Sequence, residues 1–184
     1  MKRILFVVMC LLSTTLSAQE LLLFKAGNKY GFKDSSGKEV IAARYNNLRP
    51  FSEGLALAYL NTGWGFIDKQ DKEVIPFRYG TAASFSEGLA LVAVESVMTS
   101  DNVKYGFIDK TGKVVIPFKY NSAESFSGGL ALVKLNGKYG FVDKTGKEII
   151  PLKYDYALPF KNGKARVELS GREFNIDKTG KEVQ

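Results

Sequence analysis

The chain spells Asp-Lys-Thr-Gly three times, at Asp109 to Gly112, Asp143 to Gly146 and Asp177 to Gly180. In ion pumps that tetrapeptide carries the carboxylate that accepts a phosphoryl group, and a threonine follows it. Here Lys113, Lys147 and Lys181 follow instead, and three copies in one kind of hairpin turn give these aspartates a structural job. A second set, Ser35-Ser36-Gly37-Lys38, Ser100-Asp101-Asn102 and Lys144-Thr145-Gly146, follows the order of the serine nucleophile and its helpers in serine β-lactamases. That chemistry needs the serine at a helix start, whereas Ser35 aligns with Lys110 in the repeated turn and no helical pattern follows it. There is no histidine, which removes imidazole general-base catalysis and most transition-metal sites. Asp34, Asp68, Asp109, Asp143 and Asp177 raise the question of calcium. Each has a lysine within four residues and no acidic cluster around it, so capping of its own turn is the better reading. No Gly-rich phosphate loop opens a helix. The sequence therefore assigns no catalytic, cofactor-binding or metal-ligating residue, and an enzyme that uses two carboxylates on a glycoside is the one catalytic class left open.

Aromatic side chains are the remaining candidates. Tyr45, Tyr79, Tyr120 and Tyr154 recur at one place in each repeat, and are expected outside regular strands with wet hydroxyls. As an exposed row they could stack on sugar rings or on peptide side chains. Tyr30, Trp64, Tyr105, Tyr139 and the Phe series read instead as core.

These residues are placed by an internal repeat. Tyr30-Gly31-Phe32, Trp64-Gly65-Phe66, Tyr105-Gly106-Phe107 and Tyr139-Gly140-Phe141 are spaced by 34, 41 and 34 residues. Phe51 to Ala56 returns as Phe85 to Ala90 and Phe126 to Ala131, with a weaker copy at Phe160 to Ala165. Val74-Ile75-Pro76-Phe77-Arg78-Tyr79 returns at Val115 to Tyr120 and Ile149 to Tyr154, and without the proline at Val40 to Tyr45. A period of this size means a small unit stabilised by stacking on its neighbours. The single spacing of 41 marks a seven-residue insertion between Leu91 and Lys104, which enlarges one hairpin loop at Glu95 to Val103. The insertion is a tolerated surface loop or part of a binding face.

Glycines, prolines and short runs of Val, Ile, Phe and Tyr exclude the helical repeats of similar period. In the clearest copy Lys104 to Asp109 is a strand, Asp109 to Gly112 a type I turn closed by left-handed glycine, and Lys113 to Ile116 a second strand ended by Pro117. Leu130 to Leu135 is the third, and Asn136-Gly137 turns into the next unit. The fold class is all-β: a tandem array of about five three-stranded antiparallel meanders, with units starting near residues 30, 64, 105, 139 and 173. Both faces of each sheet are apolar, so each is sandwiched between neighbours, and Gly31, Gly65, Gly106 and Gly140 admit another repeat's aromatic. An open curved array is favoured over a closed propeller-like ring. Glu173, Asn175 and Gln184 look like water-facing caps, and Leu21 to Phe24 can pair with Lys29 to Phe32 instead of closing a ring.

Residues 1–18 read as a secretory signal peptide. Lys2 and Arg3 precede the apolar run Ile4 to Leu12, and small residues lead to a cut after Ala18. Lipid attachment at Cys10 is the minor alternative. The run is too short to span a membrane. Residues 19–184 form one repeat domain without cysteine, and the net charge of +7 falls by two with Lys2 and Arg3. Nucleic acid is an unsuitable target for a modestly basic exported chain.

The repeated W/Y-G-F-I/V-D-x-x-G-K-x-V/I-I-P, Y and F-S-E-G-L-A segments resemble the WG-repeat family, also called KWG, over residues 21–184. Two departures are Trp at Trp64 alone and Glu173-Phe174-Asn175 in place of Tyr-Gly-Phe. The resemblance implies an exported or surface-associated bacterial β-repeat protein without general catalytic activity or cofactor. The expected function is a non-enzymatic scaffold for a protein or peptide partner at the bacterial envelope, in an extracytoplasmic location; the alternative is a module for cell-wall or host glycan.

Overall fold

The computed structural model describes residues 20–94 and 103–184. The signal segment at residues 1–18 and all but Val103 of the insertion lie outside the described residues.

Alternating apolar strands joined by tight turns make five antiparallel sheets in chain order. The first holds β1 (Leu22–Ala26), β2 (Lys29–Lys33) and β3 (Glu39–Tyr45). The second holds β4 (Asn47–Ser52), β5 (Leu55–Leu60), β6 (Gly63–Ile67) and β7 (Glu73–Tyr79). The third is β8 (Thr81–Ala82), β9 (Ala90–Val94), β10 (Lys104–Ile108) and β11 (Val114–Tyr120). The fourth is β12 (Ser122–Ala123), β13 (Ala131–Leu135), β14 (Lys138–Val142) and β15 (Glu148–Tyr154). The fifth is β16 (Tyr156–Ala157), β17 (Ala165–Leu169), β18 (Arg172–Ile176) and β19 (Glu182–Val183).

The all-β tandem array is as expected, but its sheets are cut differently from the sequence repeat. The third strand of each expected unit pairs with the first strand of the next one, as β13 pairs with β14 from Ala131↔Val142 to Leu135↔Lys138. A further strand precedes it, six residues long as β4 and two as β8, β12 and β16, so among the described residues four of the sheets have four strands rather than three. The physical reason is turn length: Asn136-Gly137 closes a two-residue hairpin with φ of 50° and 81°, whereas a long connection separates β11 from β13.

Pro117 does not end its strand. β11 runs through it by bulging: Phe107 faces Ile116 and Tyr105 faces Tyr120, so two steps on β10 meet four on β11. The bulge explains the repeated glycine. A Cβ on Gly106 would lie 2.6 Å from the Ile116 carbonyl oxygen and 3.0 Å from the Phe118 ring, and Gly65 meets Ile75 and Phe77 alike. The glycine thus admits the bulge of its own sheet, not an aromatic of another repeat.

The sheets stack by fitting a face of large side chains onto a face of small ones. Leu132, Phe141, Ile150 and Tyr154 of the fourth sheet bury against Ala157, Ala165, Val167 and Ile176 of the fifth. Leu91, Phe107, Ile116 and Tyr120 meet Ala131, Val133 and Val142 in the same way. Leu57, Phe66, Ile75 and Tyr79 meet Ala90, Val92 and Ile108, and Phe32, Ile41 and Tyr45 meet Ala56, Ala58 and Ile67. Each Tyr/Trp-Gly-Phe phenylalanine also takes a ring from the next sheet's segment, with centroids 4.7 Å apart for Phe32–Phe51 and 4.8 Å for Phe66–Phe85 and Phe107–Phe126.

Polar contacts between the turns pin this stack. Glu53 and Glu87 sit at φ of 53° and 54° in two-residue turns. Their carboxylates accept from the next turn, Gly88 N–H at 3.1 Å and Gly129 N–H at 2.9 Å. Lys110 pairs with Glu53 at 3.1 Å and Lys144 with Glu87 at 3.4 Å, and where Gly128 replaces glutamate, Lys178 donates to its carbonyl at 2.5 Å.

The array is open. β1 pairs with β2 and shares no sheet with β19. Among the described residues, the buried clusters join successive sheets, and none joins the fifth to the first. The outer face of the fifth sheet carries Arg166, Glu168, Glu173 and Asn175, and Arg166 pairs with Glu173, which makes a polar cap.

Phe141, 1% exposed and 4.7 Å from Phe160, should be among the costliest side chains to truncate. Phe141→Ala is expected to lose about 3–5 kcal/mol in denaturant unfolding; a midpoint at the wild-type value would invert the face assignment. Acid should loosen the turns as well. The Asp109 carboxylate accepts from the Thr111 hydroxyl at 2.6 Å, its N–H at 2.9 Å and the Lys113 N–H at 3.1 Å. The Thr hydroxyl first, then these N–H groups, hold its pKa below the ordinary 3.8, as at Asp143 and Asp177. Stabilisation from a depressed carboxylate is complete above its unfolded pKa and lost as pH falls through the folded one. Thermal melts taken from neutral pH down to about pH 3 should show a drop that Asp143→Asn makes shallower.

Candidate functional site

The four repeated tyrosines are not a wet row. Tyr45, Tyr79, Tyr120 and Tyr154 end β3, β7, β11 and β15 and are 0–1% exposed. The bulge turns each ring inward onto the next sheet, and the preceding cation covers it: Arg44, Arg78, Lys119 and Lys153 lie 4.9–5.3 Å from the ring centroids. Tyr45 donates to Asp71 at 2.5 Å and accepts from Arg44 at 2.8 Å. Burial first, then the Asp71 carboxylate, push its pKa well above the usual tyrosine range. Tyr120 has the same burial, and its hydroxyl has no hydrogen-bond partner among the described residues. As candidate partner-binding residues, these four are corrected to core.

Of the aromatics expected to be core, Phe32, Phe66, Phe107 and Phe141 are 0–1% exposed, whereas Tyr30, Trp64, Tyr105 and Tyr139 pack against the core and stay partly exposed. Tyr30, Trp64, Tyr105 and Tyr139 stand at the start of β2, β6, β10 and β14, beside the hairpin turns, with one edge wet. Each faces the buried tyrosine across its hairpin, as in Trp64↔Tyr79 and Tyr139↔Tyr154, so the outer member of each pair meets solvent.

What surrounds this outer aromatic changes from repeat to repeat. Lys25 lies 5.4 Å from the Tyr30 ring, and Tyr59 packs edge-on to Trp64 at 5.2 Å. At Tyr139 the corresponding neighbour is Lys134, 4.8 Å from the ring, and Tyr156 adds a second aromatic at 5.8 Å with an interplanar angle of 68°. Here the fourth and fifth sheets part into a cleft of about 180 Å³. Ser122, Glu124, Lys134, Tyr139, Tyr156 and Leu158 give it its polar groups and rim. Sequence reasoning missed it. The available signal was Tyr156, an aromatic where the other copies have Asn47, Thr81 and Ser122.

The catalytic look-alikes stay in turns. Asp109, Asp143 and Asp177 spend a carboxylate oxygen on their own turns, and the Ser36 hydroxyl donates to Asp34 at 2.6 Å. Ser100, Asp101 and Asn102 lie outside the described residues. Among the described residues no group of three or more acidic or cysteine side chains converges on a point that could hold a metal.

Stacked antiparallel sheets, the first four each with one aromatic-Gly-Phe strand, define a β-repeat protein. The chain belongs to the family of the WG containing repeat, whose model matches residues 30–61, 64–96, 105–139 and 139–172. Comparison with curated proteins gives no match. Among solved structures the fold is similar to that of Kluyveromyces lactis Hsv2, with a TM-score of 0.52 and 11% identity over 90% of this chain and 60% of that one. A form of that protein with loop 6CD replaced by a Gly-Ser linker gives 0.53 and 10% identity over 90% and 62%. The chain thus spans about three fifths of the length of these structures, and the likeness is one of fold alone.

The contrast between Tyr45 and Tyr120 generates a stability test. Asp71 occupies the turn position held by Gly146 next to Tyr120, and it adopts φ of 62° there. A Cβ at Gly146 would make ordinary contact with Ile116 at 3.4 Å. Gly146→Asp should give the Tyr120 hydroxyl a partner worth about 0.5–1 kcal/mol, read as the difference between the substitution made in wild type and in Tyr120→Phe, because φ of 84° at Gly146 strains any side chain there. An equal effect in both backgrounds would show that no such bond forms.

Proposed function

We propose that this chain is an exported, non-enzymatic scaffold that binds a protein or peptide partner at the bacterial envelope. The observation that carries this reading is the half-exposed row Tyr30, Trp64, Tyr105 and Tyr139, presented at one register position on successive sheets. Aromatic rings that are amphipathic and already held by a scaffold bind with little loss of side-chain entropy. The sheet edges favour side-chain recognition over strand addition. Pro76, Pro117 and Pro151 and their bulges interrupt one edge, and strands of two residues form the other in the third and fourth sheets.

Export is supported by the basic, apolar and small-residue order of residues 1–18. Among the described residues no helix is long and apolar enough to cross a membrane. The non-enzymatic reading is supported by the absence of histidine and by the use of the repeated aspartates inside their turns. The glycan alternative loses its original footing, because the tyrosines it rested on are buried.

Capture from envelope extract with the mature chain, followed by binding of the purified partner, tests the proposal. Trp64→Ser with Tyr105→Ser should weaken that binding at least about tenfold, as for loss of an aromatic hot spot; both rings also pack against the core, so the melting temperature falls as well and binding is read well below it. Binding indifferent to both substitutions would overturn the assignment of this surface. Turnover of a glycoside that a single surface carboxylate substitution abolishes would overturn the non-enzymatic reading.

A further inference from the structure

We infer that the cleft between the fourth and fifth sheets is a binding site for one neutral sugar ring. It shares Tyr139 with the row proposed for the protein partner, but it is argued from Tyr156, Glu124 and Lys134 and does not depend on that reading. Three properties of the lining carry it.

The first is amphipathy. Tyr156 is 46% exposed and Leu158 41%, so an aromatic and an aliphatic surface stand open to solvent at the mouth. Tyr156 is held edge-to-face by Tyr139, and Lys134 lies against the other ring, which fixes the pair before any ligand arrives. A pyranose has an apolar C–H face that matches such a ring and a periphery of hydroxyls that does not.

The second is charge. Glu124 and Lys134 are the charged groups lining the cleft, one of each sign. A strongly anionic or cationic ligand would meet one like charge at this range, whereas a hydroxyl both donates and accepts. The carboxylate can take one hydroxyl proton, the ammonium can donate to another, and Ser122 can do either.

The third is size and backbone supply. At about 180 Å³ the cleft is smaller than the roughly 300 Å³ at which drug-sized pockets begin, so it holds a ring and not a chain. The N–H groups of Glu124 and Leu158 are already given to the Leu132 and Arg166 carbonyls at 2.9 Å, so neither is left for a peptide strand. Sugar hydroxyls need only the side chains.

Among the described residues, the equivalent positions do not repeat this lining. The equivalents of Tyr156 are Asn47, Thr81 and Ser122, and at Trp64 the place of Lys134 is filled by Tyr59. The site is therefore specific to one interface, not a property of the repeat.

The test uses the mature chain with maltotriose, cellotriose and chitotriose as neutral probes and a trimer of galacturonate as the anionic one, read by saturation-transfer NMR and titration. At least one neutral trisaccharide should bind in the millimolar range or better, and more tightly than the uronate. Tyr156→Ser, which installs the residue found at position 122, should weaken it about tenfold, and Glu124→Gln about threefold, with unchanged melting temperatures. Glu124 is exposed, so its variant reads the site even if Tyr156→Ser were to lose its fold. The inference is overturned if no neutral trisaccharide binds, if binding ignores both substitutions, or if the uronate binds more tightly. It is equally overturned if Tyr156→Ser abolishes binding of the protein partner and leaves sugars unaffected.

Discussion

Everything in this molecule depends on burying the large face of one sheet against the small face of the next. Among the described residues no sheet has more than four strands and the longest strand is seven residues, and a sheet of this size has too little core to fold alone. Each fully buried Phe, Ile or Leu contributes on the order of 1.5–3 kcal/mol, and that burial exists only once a neighbour is in place. The repeated glycine, bulge and tyrosine serve this contact. Gly106 lets the bulge at Pro117 and Phe118 come close, and the bulge brings Tyr120 back onto the large face beside Phe107 and Ile116. A side chain at the glycine would push the bulge away and take the tyrosine out of the interface.

The same dependence explains backbone conformations that are costly in isolation. Glutamate at positive φ is unfavourable, yet Glu53 and Glu87 both adopt it. Their carboxylates reach the next turn and a lysine of a later one, so the strain is offset between sheets rather than within the turn. At Gly128, where no carboxylate is available, the turn relaxes to Gly-Gly and the lysine bonds the carbonyl instead. Ser52 and Ser86 add bonds from their hydroxyls to the Phe85 and Phe126 carbonyls, at 2.7 and 2.8 Å.

Much of the fold was legible because it is local. Asp-x-x-Gly turns, Asn-Gly hairpins and period-2 alternation each name their own geometry, and the polar residues Glu173 and Asn175 marked the capped end. Strand partnership was read less well: a repeating motif has no intrinsic starting point, and units counted from the aromatic-Gly-Phe strand split Leu130 to Leu135 from the strand that the Asn136-Gly137 turn joins it to. Hairpin length decides it. The tyrosines were misplaced for a related reason. Pro117 suggested the end of a strand and hence an exposed tail, whereas a two-residue bulge carries the chain past the proline and restores Tyr120 to the core. The cleft was illegible because it is made by Glu124, Lys134 and Tyr156, which belong to different segments and meet only when two sheets stack.

Function in such an array is confined to positions that stacking leaves free. The Phe, Ile, inner Tyr and Gly positions recur because each is in contact with the next sheet or the bulge, and a change there costs the fold. Around the outer aromatic no such contact is required, and there the side chains diverge: Lys25, Tyr59, Ala93 and Lys134 on one flank, Asn47, Thr81, Ser122 and Tyr156 on the other. On the binding reading proposed above, the aromatic would supply a generic platform and its flanks selectivity, so that successive interfaces of one scaffold could hold different ligands. Divergence between copies inside this single chain is therefore a better guide to its binding sites than the repeated motif itself.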